Sequence, residues 1–260
     1  MEYFEKIEKN PYEDLYWNVP EKKQGVVNII GGNKQSFKTE IKTAEYLGAN
    51  YPVEFTNVVL PESLKGELPP FENFKFLSAT DSGSLSGDGL EEIIETADYN
   101  LLIGDLSKNS ITGKAVAGAC RVSEKPILIT RDAVDLIAEN QPEKVLLNDK
   151  ISFFGSLAQL QKLLRAVYYP KMLLLSQSLV QVVEVLHKFT LSYPVDIVTL
   201  HNGQILVAKD GVVKSVSLED SGYSAITIWN GELASKIVAM NLYNPNNFVQ
   251  ATVAAICYNL

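Results

Sequence analysis

The sequence predicts an α/β protein, a three-layer α/β/α sandwich built on a mostly parallel sheet with a β-hairpin region toward the C-terminus. Three observations lead there. Short β-rich apolar runs alternate with longer segments of helical spacing along the chain, the pattern of a sheet covered on both faces. Pro126-Ile-Leu-Ile129 is apolar at consecutive positions, as a strand buried on both faces requires. Asn202-Gly203 and Asp210-Gly211 separate three β-rich runs and are strong two-residue hairpin turns. No linker, repeat or low-complexity tail interrupts the 260 residues, so one domain over 1–260 is expected, with 1–24 as an N-terminal extension.

The elements follow in order. Gly25-Val-Val-Asn-Ile-Ile30 is a compact strand ending at Gly31-Gly32, and residues 36–48 carry helical spacing through Phe37, Ile41, Ala44 and Leu47. Residues 53–60 and 74–78 read as strands. The loop Thr80-Asp-Ser-Gly-Ser-Leu-Ser-Gly-Asp-Gly89 then leads to a helix through Leu90, Ile93 and Ile94. Leu101-Leu-Ile103 is a short strand, 110–122 a helix, 126–129 a strand and 133–138 a helix. Residues 150–154 form a strand, and 157–167 and 176–189 form amphipathic helices. Strands at 196–200, 204–208 and 212–216 precede closing helices at 231–242 and 248–260.

Composition excludes some functions. A formal charge of −8 argues against a nucleic acid partner, whose phosphates call for clustered Lys and Arg. The start Met1-Glu2-Tyr3-Phe4-Glu5-Lys6 lacks the apolar stretch of a signal peptide, and no later run is long and apolar enough to span a bilayer. The expectation is a cytoplasmic protein with no membrane partner. Cys120 and Cys257 sit in apolar helical settings and are expected to be free buried thiols.

The stretch Ala97-Asp-Tyr-Asn-Leu-Leu-Ile-Gly-Asp-Leu106, then Thr112, then Lys125-Pro-Ile-Leu-Ile-Thr-Arg-Asp-Ala133, resembles the ADP/ATP-dependent NAD(P)H-hydrate dehydratase family of the ribokinase-like group. That family reads as an Ala-Asp strand ending in Gly-Pro-Gly-Leu-Gly, a helix, and Lys-Pro-Val-Val-Leu-Asp-Ala-Asp-Ala. The similarity extends outward from there. Gly31-Gly32-Asn33 stands at the family's Gly-Gly-Ser, Pro61-Glu62 at its Pro-Glu, and Ile151-Ser-Phe-Phe-Gly-Ser-Leu-Ala-Gln-Leu160 at its Leu-Thr-Pro-His-Pro-Gly-Glu-Phe-Ala-Arg-Leu. Asp196-Ile-Val-Thr-Leu-His-Asn-Gly203 resembles its Val-Val-Leu-Lys-Gly, and Ile228-Trp-Asn-Gly-Glu-Leu-Ala234 its Gly-Thr-Gly-Asp-Val-Leu-Ala. The resemblance implies a ribokinase-like fold without a separate lid domain, a small-molecule nucleotide ligand (ATP or ADP, with an NAD(P)H-type ligand and Mg²⁺), and a homo-oligomer. The implied activity is nucleotide-dependent dehydration of hydrated NAD(P)H, a lyase reaction: a base activates the ring hydroxyl toward phosphate, and phosphate then leaves with help from the ring nitrogen.

The implied base is the aspartate of Gly-Thr-Gly-Asp. Gly231 occupies its position, with Asn230 before it and Glu232 after it. On a helix, a one-residue displacement turns a side chain by about 100°. Glu232 is therefore either a displaced catalytic base or an acidic residue favoured by the dipole of a helix first turn. Gly104-Asp-Leu-Ser107 replaces the family's glycine-rich loop, Phe153-Phe-Gly-Ser156 its His and Glu, and His201-Asn202 its Lys. Asp132 remains at a strand end, where open α/β sheets bind ligands. It either orients a substrate hydroxyl or a metal-bound water, or caps a helix beginning at Ala133, and the cap is the expectation. Asp105 ranks behind it.

The turn Gly31-Gly32-Asn33 either brings backbone N–H groups to an anion or is a tight turn and nothing more. Gly104, Asn202, Gly203, Asn230 and Gly231 complete the candidate nucleotide-binding set. The loop over 82–89 lacks the Lys and Ser or Thr of a phosphate loop and is expected to be a mobile surface loop. His187 is expected on a helix surface and His201 in a turn, neither at metal-ligand spacing. Trp229, Tyr223 and Tyr243 are expected to pack rather than stack on a base. Two functions remain open: a divergent, nucleotide-dependent hydrate dehydratase, and a non-catalytic nucleotide-binding or scaffolding relative. A small-molecule kinase is third, because it needs the same missing aspartate.

Overall fold

The computed structural model describes residues 2–257. Among the described residues, ten strands form one sheet: β1 (Phe4–Ile7), β2 (Val26–Gly31), β3 (Phe55–Pro61), β4 (Phe74–Leu77), β5 (Tyr99–Gly104), β6 (Ile127–Thr130), β7 (Ile151–Phe154), β8 (Asp196–His201), β9 (Gln204–Lys209) and β10 (Val212–Ser217). Their order is β1-β10-β9-β8-β7-β6-β5-β2-β3-β4, and every pairing is parallel except β8 with β9 and β9 with β10. The two antiparallel pairings are the predicted hairpins. Asn202, Gly203, Asp210 and Gly211 all have positive φ, as a turn that matches strand twist requires.

The helices are α1 (Lys38–Asn50), α2 (Leu90–Glu95), α3 (Ser110–Val122), α4 (Asp132–Ala138), α5 (Pro142–Val145), α6 (Leu157–Ala166), α7 (Leu179–Ser192), α8 (Glu232–Tyr243) and α9 (Phe248–Cys257). The last three residues of the predicted closing helix lie outside the described residues. Side chains alternate between two cores with the period of two that strands impose. Ile127, Ile129, Ile151 and Phe153 point to the core made with α3, α4, α6 and α7. Leu128, Phe154, Leu101 and Ile103 point to the core made with α1, α8 and α9. Ser156 and Ser178 open α6 and α7 with reciprocal capping boxes to Gln159 and Gln181, which explains the sharp starts of those helices.

A polar row crosses the middle of the sheet. Asn57 Nδ2 donates to Asn28 Oδ1 at 2.9 Å, Asn28 Nδ2 donates to Asn100 Oδ1 at 3.3 Å and to Ile93 O at 2.7 Å, and Asn100 Nδ2 donates to Ile94 O at 3.0 Å. Asn28 is register partner to both Asn57 and Asn100. A slip of one residue would strand these buried amides without partners, so the row pins β3, β2 and β5 in register.

The structure departs from several expectations. The segment before residue 25 is part of the sheet: β1 pairs with β10, and the Tyr16 hydroxyl donates to Ala254 O at 2.5 Å. Four residues of mixed polarity on an edge carry too little alternation to announce a strand. The 82–89 loop is not a loose surface loop. Gly83, Ser84 and Leu85 are buried, Asn33 bridges Ser84, and the Thr112 hydroxyl donates to Leu85 O at 2.6 Å. His187 stacks on Tyr3 at 3.8 Å between ring centres, and its Nδ1 bonds Gly211 O, so α7 carries it inward against the β9–β10 turn. His201 is the buried last residue of β8 rather than a turn residue, and its Nε2 donates to Gln177 O at 2.8 Å. Both thiols are free, Cys120 buried and Cys257 only partly so. Among the described residues, no helix is long and apolar enough to cross a membrane.

Candidate functional site

The carboxyl ends of β2, β5 and β6 lie side by side at the centre of the sheet, and the glycines there determine what gathers around them. Gly104 has φ +103°, and a Cβ on it would lie 2.0 Å from Asp132 Oδ1. A Cβ on Gly31 would lie 2.6 Å from Glu40 Oε1, and one on Gly231 (φ +100°) 2.2 Å from Thr43 Oγ1. At each of the three positions the missing side chain makes room for a polar group from another element.

Asp132 is the first residue of α4 and does not cap it, contrary to expectation. The helix begins one residue early, and the Asp132 carboxylate instead accepts the Asp105 N–H at 2.7 Å. That contact ties the β5 loop to the end of β6. The residue as a whole is exposed, yet its carboxyl lies in the angle between the two loops. Partial burial pushes its pKa up, the Asp105 N–H opposes this, and the Asp105 charge adds to the rise.

Arg131, one residue earlier, has φ +56° and ψ −140°, a conformation costly for any side chain other than glycine. Its guanidinium pairs with Asp105 Oδ1 at 3.2 Å and donates to Trp229 O at 3.4 Å, while its carbonyl accepts from Gln159 Nε2 at 2.6 Å. Trp229 packs on Phe154 at 4.9 Å between ring centres, and Tyr223 lies under Lys236.

Against Gly31, and within the field of Asp105, Arg131 and Asp132, lies Glu40, in the first turn of α1. It is fully buried, and neither carboxylate oxygen has a hydrogen-bond partner in another residue. Loss of water pushes its pKa up to about 8; its own backbone N–H opposes the rise, Asp105 adds to it, Arg131 opposes it and Asp132 adds to it. Thr43 Oγ1, Asp105 Oδ2 and Arg131 Nε are also buried without partners. Buried polar atoms are normally satisfied, so this concentration distinguishes the spot from the rest of the core.

The remaining predicted residues are placed as follows. The Gly32 N–H donates to Gly104 O at 3.0 Å and the Asn33 N–H to Ser36 O at 2.8 Å, while Asn33 Nδ2 donates to Asp105 O at 2.5 Å. The turn's N–H groups are thus engaged within the protein, and its glycines serve close packing. Gly231 precedes α8 and offers no side-chain cap, and Asn230 Oδ1 takes the Glu232 N–H at 3.0 Å. Glu232 opens α8, where its charge acts on Tyr46, Tyr223 and Lys236. Asn202 and Gly203 form the exposed β8–β9 turn, two strands along the sheet from β6. The structure therefore joins Gly31, Gly32, Asn33, Gly104, Asp105 and Asp132, with Gly231 adjoining through Thr43.

Sequence reasoning missed Glu40, Thr43 and Arg131. Glu40 had a readable signal, since it interrupts the stripe Phe37, Ala44, Leu47 with a charge on the inward face of a helix. Arg131 had none beyond its neighbour, because its strained backbone is a tertiary property. Among the described residues, no group of three or more His, Cys, Asp or Glu side chains is arranged to hold a metal.

No family model matches the chain, and no curated protein matches it. Solved structures do. A hypothetical protein from Streptococcus mutans is 15% identical with a TM-score of 0.63, over 89% of this chain and 79% of its own. A ribokinase-like superfamily protein from Enterococcus faecalis is 15% identical with a TM-score of 0.63, over 99% and 86%. An ADP/ATP-dependent NAD(P)H-hydrate dehydratase from Bacillus subtilis, co-crystallised with ATP and Mg²⁺ and soaked with CoA, is 12% identical with a TM-score of 0.61, over 94% and 84%. The fold of the present chain is ribokinase-like, as its sequence resemblance to the hydrate dehydratases implied.

Proposed function

We propose that this protein binds ATP or ADP in the cleft over the carboxyl ends of β2, β5 and β6, and that it is a divergent, nucleotide-dependent NAD(P)H-hydrate dehydratase-like protein. The observation that carries the reading is Arg131. A strained, partly exposed cation at the end of a central parallel strand is a costly feature, and such strain collects at ligand sites. Its guanidinium suits a phosphate. Asp105 and Asp132 fit a Mg²⁺ carried in with phosphates, since that ion usually takes one or two protein carboxylates and keeps several waters. Asp132, at the end of a central strand with its pKa raised by partial burial, is the carboxylate best suited to take a proton from a substrate hydroxyl. Glu232 is the second candidate. An NAD(P)H-type ligand beside the nucleotide completes the proposal.

A second reading, binding without turnover, is favoured at Gly231. The space where a Cβ would stand is filled by Thr43 Oγ1, so the family's aspartate has no room at this position. A thermal-shift titration with ATP, ADP, NADH and NADPH, with and without Mg²⁺, tests binding, because a ligand specific for the native state raises its melting temperature. Turnover of hydrated NADPH then separates the readings: activity lost in Asp132→Ala supports the enzyme, and binding without activity supports the second. No shift with any nucleotide rejects both. A homo-oligomer is part of the proposal, supported by exposed apolar side chains at Tyr168, Met172, Leu174 and Leu175. Sedimentation at a monomer mass would reject it.

A further inference from the structure

We infer that Glu40 is a positioning residue for this cleft, holding a proton beneath Arg131 so that the arginine's charge stays available to an anionic ligand. The inference rests on the nucleotide-binding reading above and adds the requirement that binding be coupled to one protonation.

The geometry comes first. Glu40 is fully buried in the first turn of α1, with neither oxygen bonded to another residue, and a Cβ on Gly31 would lie 2.6 Å from its Oε1 and 2.4 Å from Gly104 O. A carboxyl enclosed in this way, without a cation bonded to it, is held in the neutral form, because an unpaired buried charge is far more costly than a proton. The charged groups acting on it are Asp105 from the loop after β5 and Arg131 and Asp132 from the end of β6. Helix α8 packs against α1, and its Glu232 acts on Tyr46, Tyr223 and Lys236, with Lys236 lying over the Tyr223 ring. With Glu40 neutral, two carboxylates face one guanidinium. Ionised, Glu40 adds a third negative charge below the cleft and draws on Arg131 from beneath, and both effects oppose a phosphate.

Arg131 is set up to respond. Its Nε is buried without a partner, and its hold on Asp105 is a single contact at 3.2 Å. The guanidinium is therefore divided between Asp105 and whatever anion enters, within the field of the Glu40 carboxyl. The burial of Glu40 keeps it from touching a ligand, so its effect passes through Arg131.

The test is the affinity for MgADP, measured by calorimetry between pH 7 and pH 9.5 on the wild-type protein and on Glu40→Gln, the uncharged isostere. Wild-type affinity is expected to fall roughly tenfold across this range, as one added charge near the site implies. Glu40→Gln should bind at pH 7 as the wild type does and change little with pH. A flat wild-type profile overturns the inference whether or not the variant folds, and parallel losses in both proteins overturn it as well, while nucleotide binding stands in either case. Absence of MgADP binding at every pH removes the nucleotide reading and this inference together.

Discussion

Replacing Glu40 by glutamine should stabilise the protein at alkaline pH and not at acid pH. The carboxyl has a value of 4.5 as a free side chain and about 8 in the fold. Because the folded-state value is raised, the folded chain holds one more proton than the unfolded chain between those two limits. Wild-type stability from this group is then greatest below the lower limit, falls as pH rises through the window, and levels off above about 8. The full difference amounts to at most about 5 kcal/mol, a large share of the stability of a typical domain. Glutamine occupies nearly the same space and has no proton to lose, so the variant lacks this slope. Urea unfolding of both proteins at intervals from pH 5 to pH 9 measures it. The variant's advantage should be near zero at pH 5 and grow to several kcal/mol by pH 8 to 9. A difference that stays constant with pH, or a variant less stable at pH 9, would refute the placement of Glu40 as a buried neutral acid.

Three further substitutions test the surrounding architecture. Arg131→Gly relieves a backbone strain of about 1–3 kcal/mol while removing the cation and its pairing with Asp105, so thermal unfolding should show a protein at least as stable as wild type that has lost nucleotide binding. Gly104→Ala forces a methyl group against Asp132 Oδ1 at a φ of +103°, and should cost more than about 1 kcal/mol in urea unfolding and weaken binding. Asn28→Ala leaves the amides of Asn57 and Asn100 without their shared partner and should cost about 2–3 kcal/mol.

The central sheet was legible because its strands are short, apolar and punctuated. Pro126-Ile-Leu-Ile129 is apolar at every position since both faces are covered, and Asn202-Gly203 supplies the positive φ its turn demands. The edge was not legible. Phe4–Ile7 becomes a strand only because β10 offers it a free edge. The 82–89 loop shows the same limit, as its glycines and serines have the composition of a surface loop, whereas Asn33, Ser107 and Thr112 hold it down through contacts distant in sequence. At the candidate site, Gly31, Gly104 and Asp132 are legible as residues, but the contacts they make are not. The glycines make space for Glu40 and Asp132, and the Asp132 carboxylate ties two loops instead of capping the helix it opens. Which side chain fills the space beside a glycine is a property of packing, and no local pattern carries it.

A crystal structure of the protein with ADP and Mg²⁺ tests the central claim most directly. The account predicts the diphosphate in the cleft over β2, β5 and β6, within hydrogen-bond distance of the Arg131 guanidinium. Diphosphate bound elsewhere on the chain, with Arg131 still paired to Asp105 alone, would contradict it.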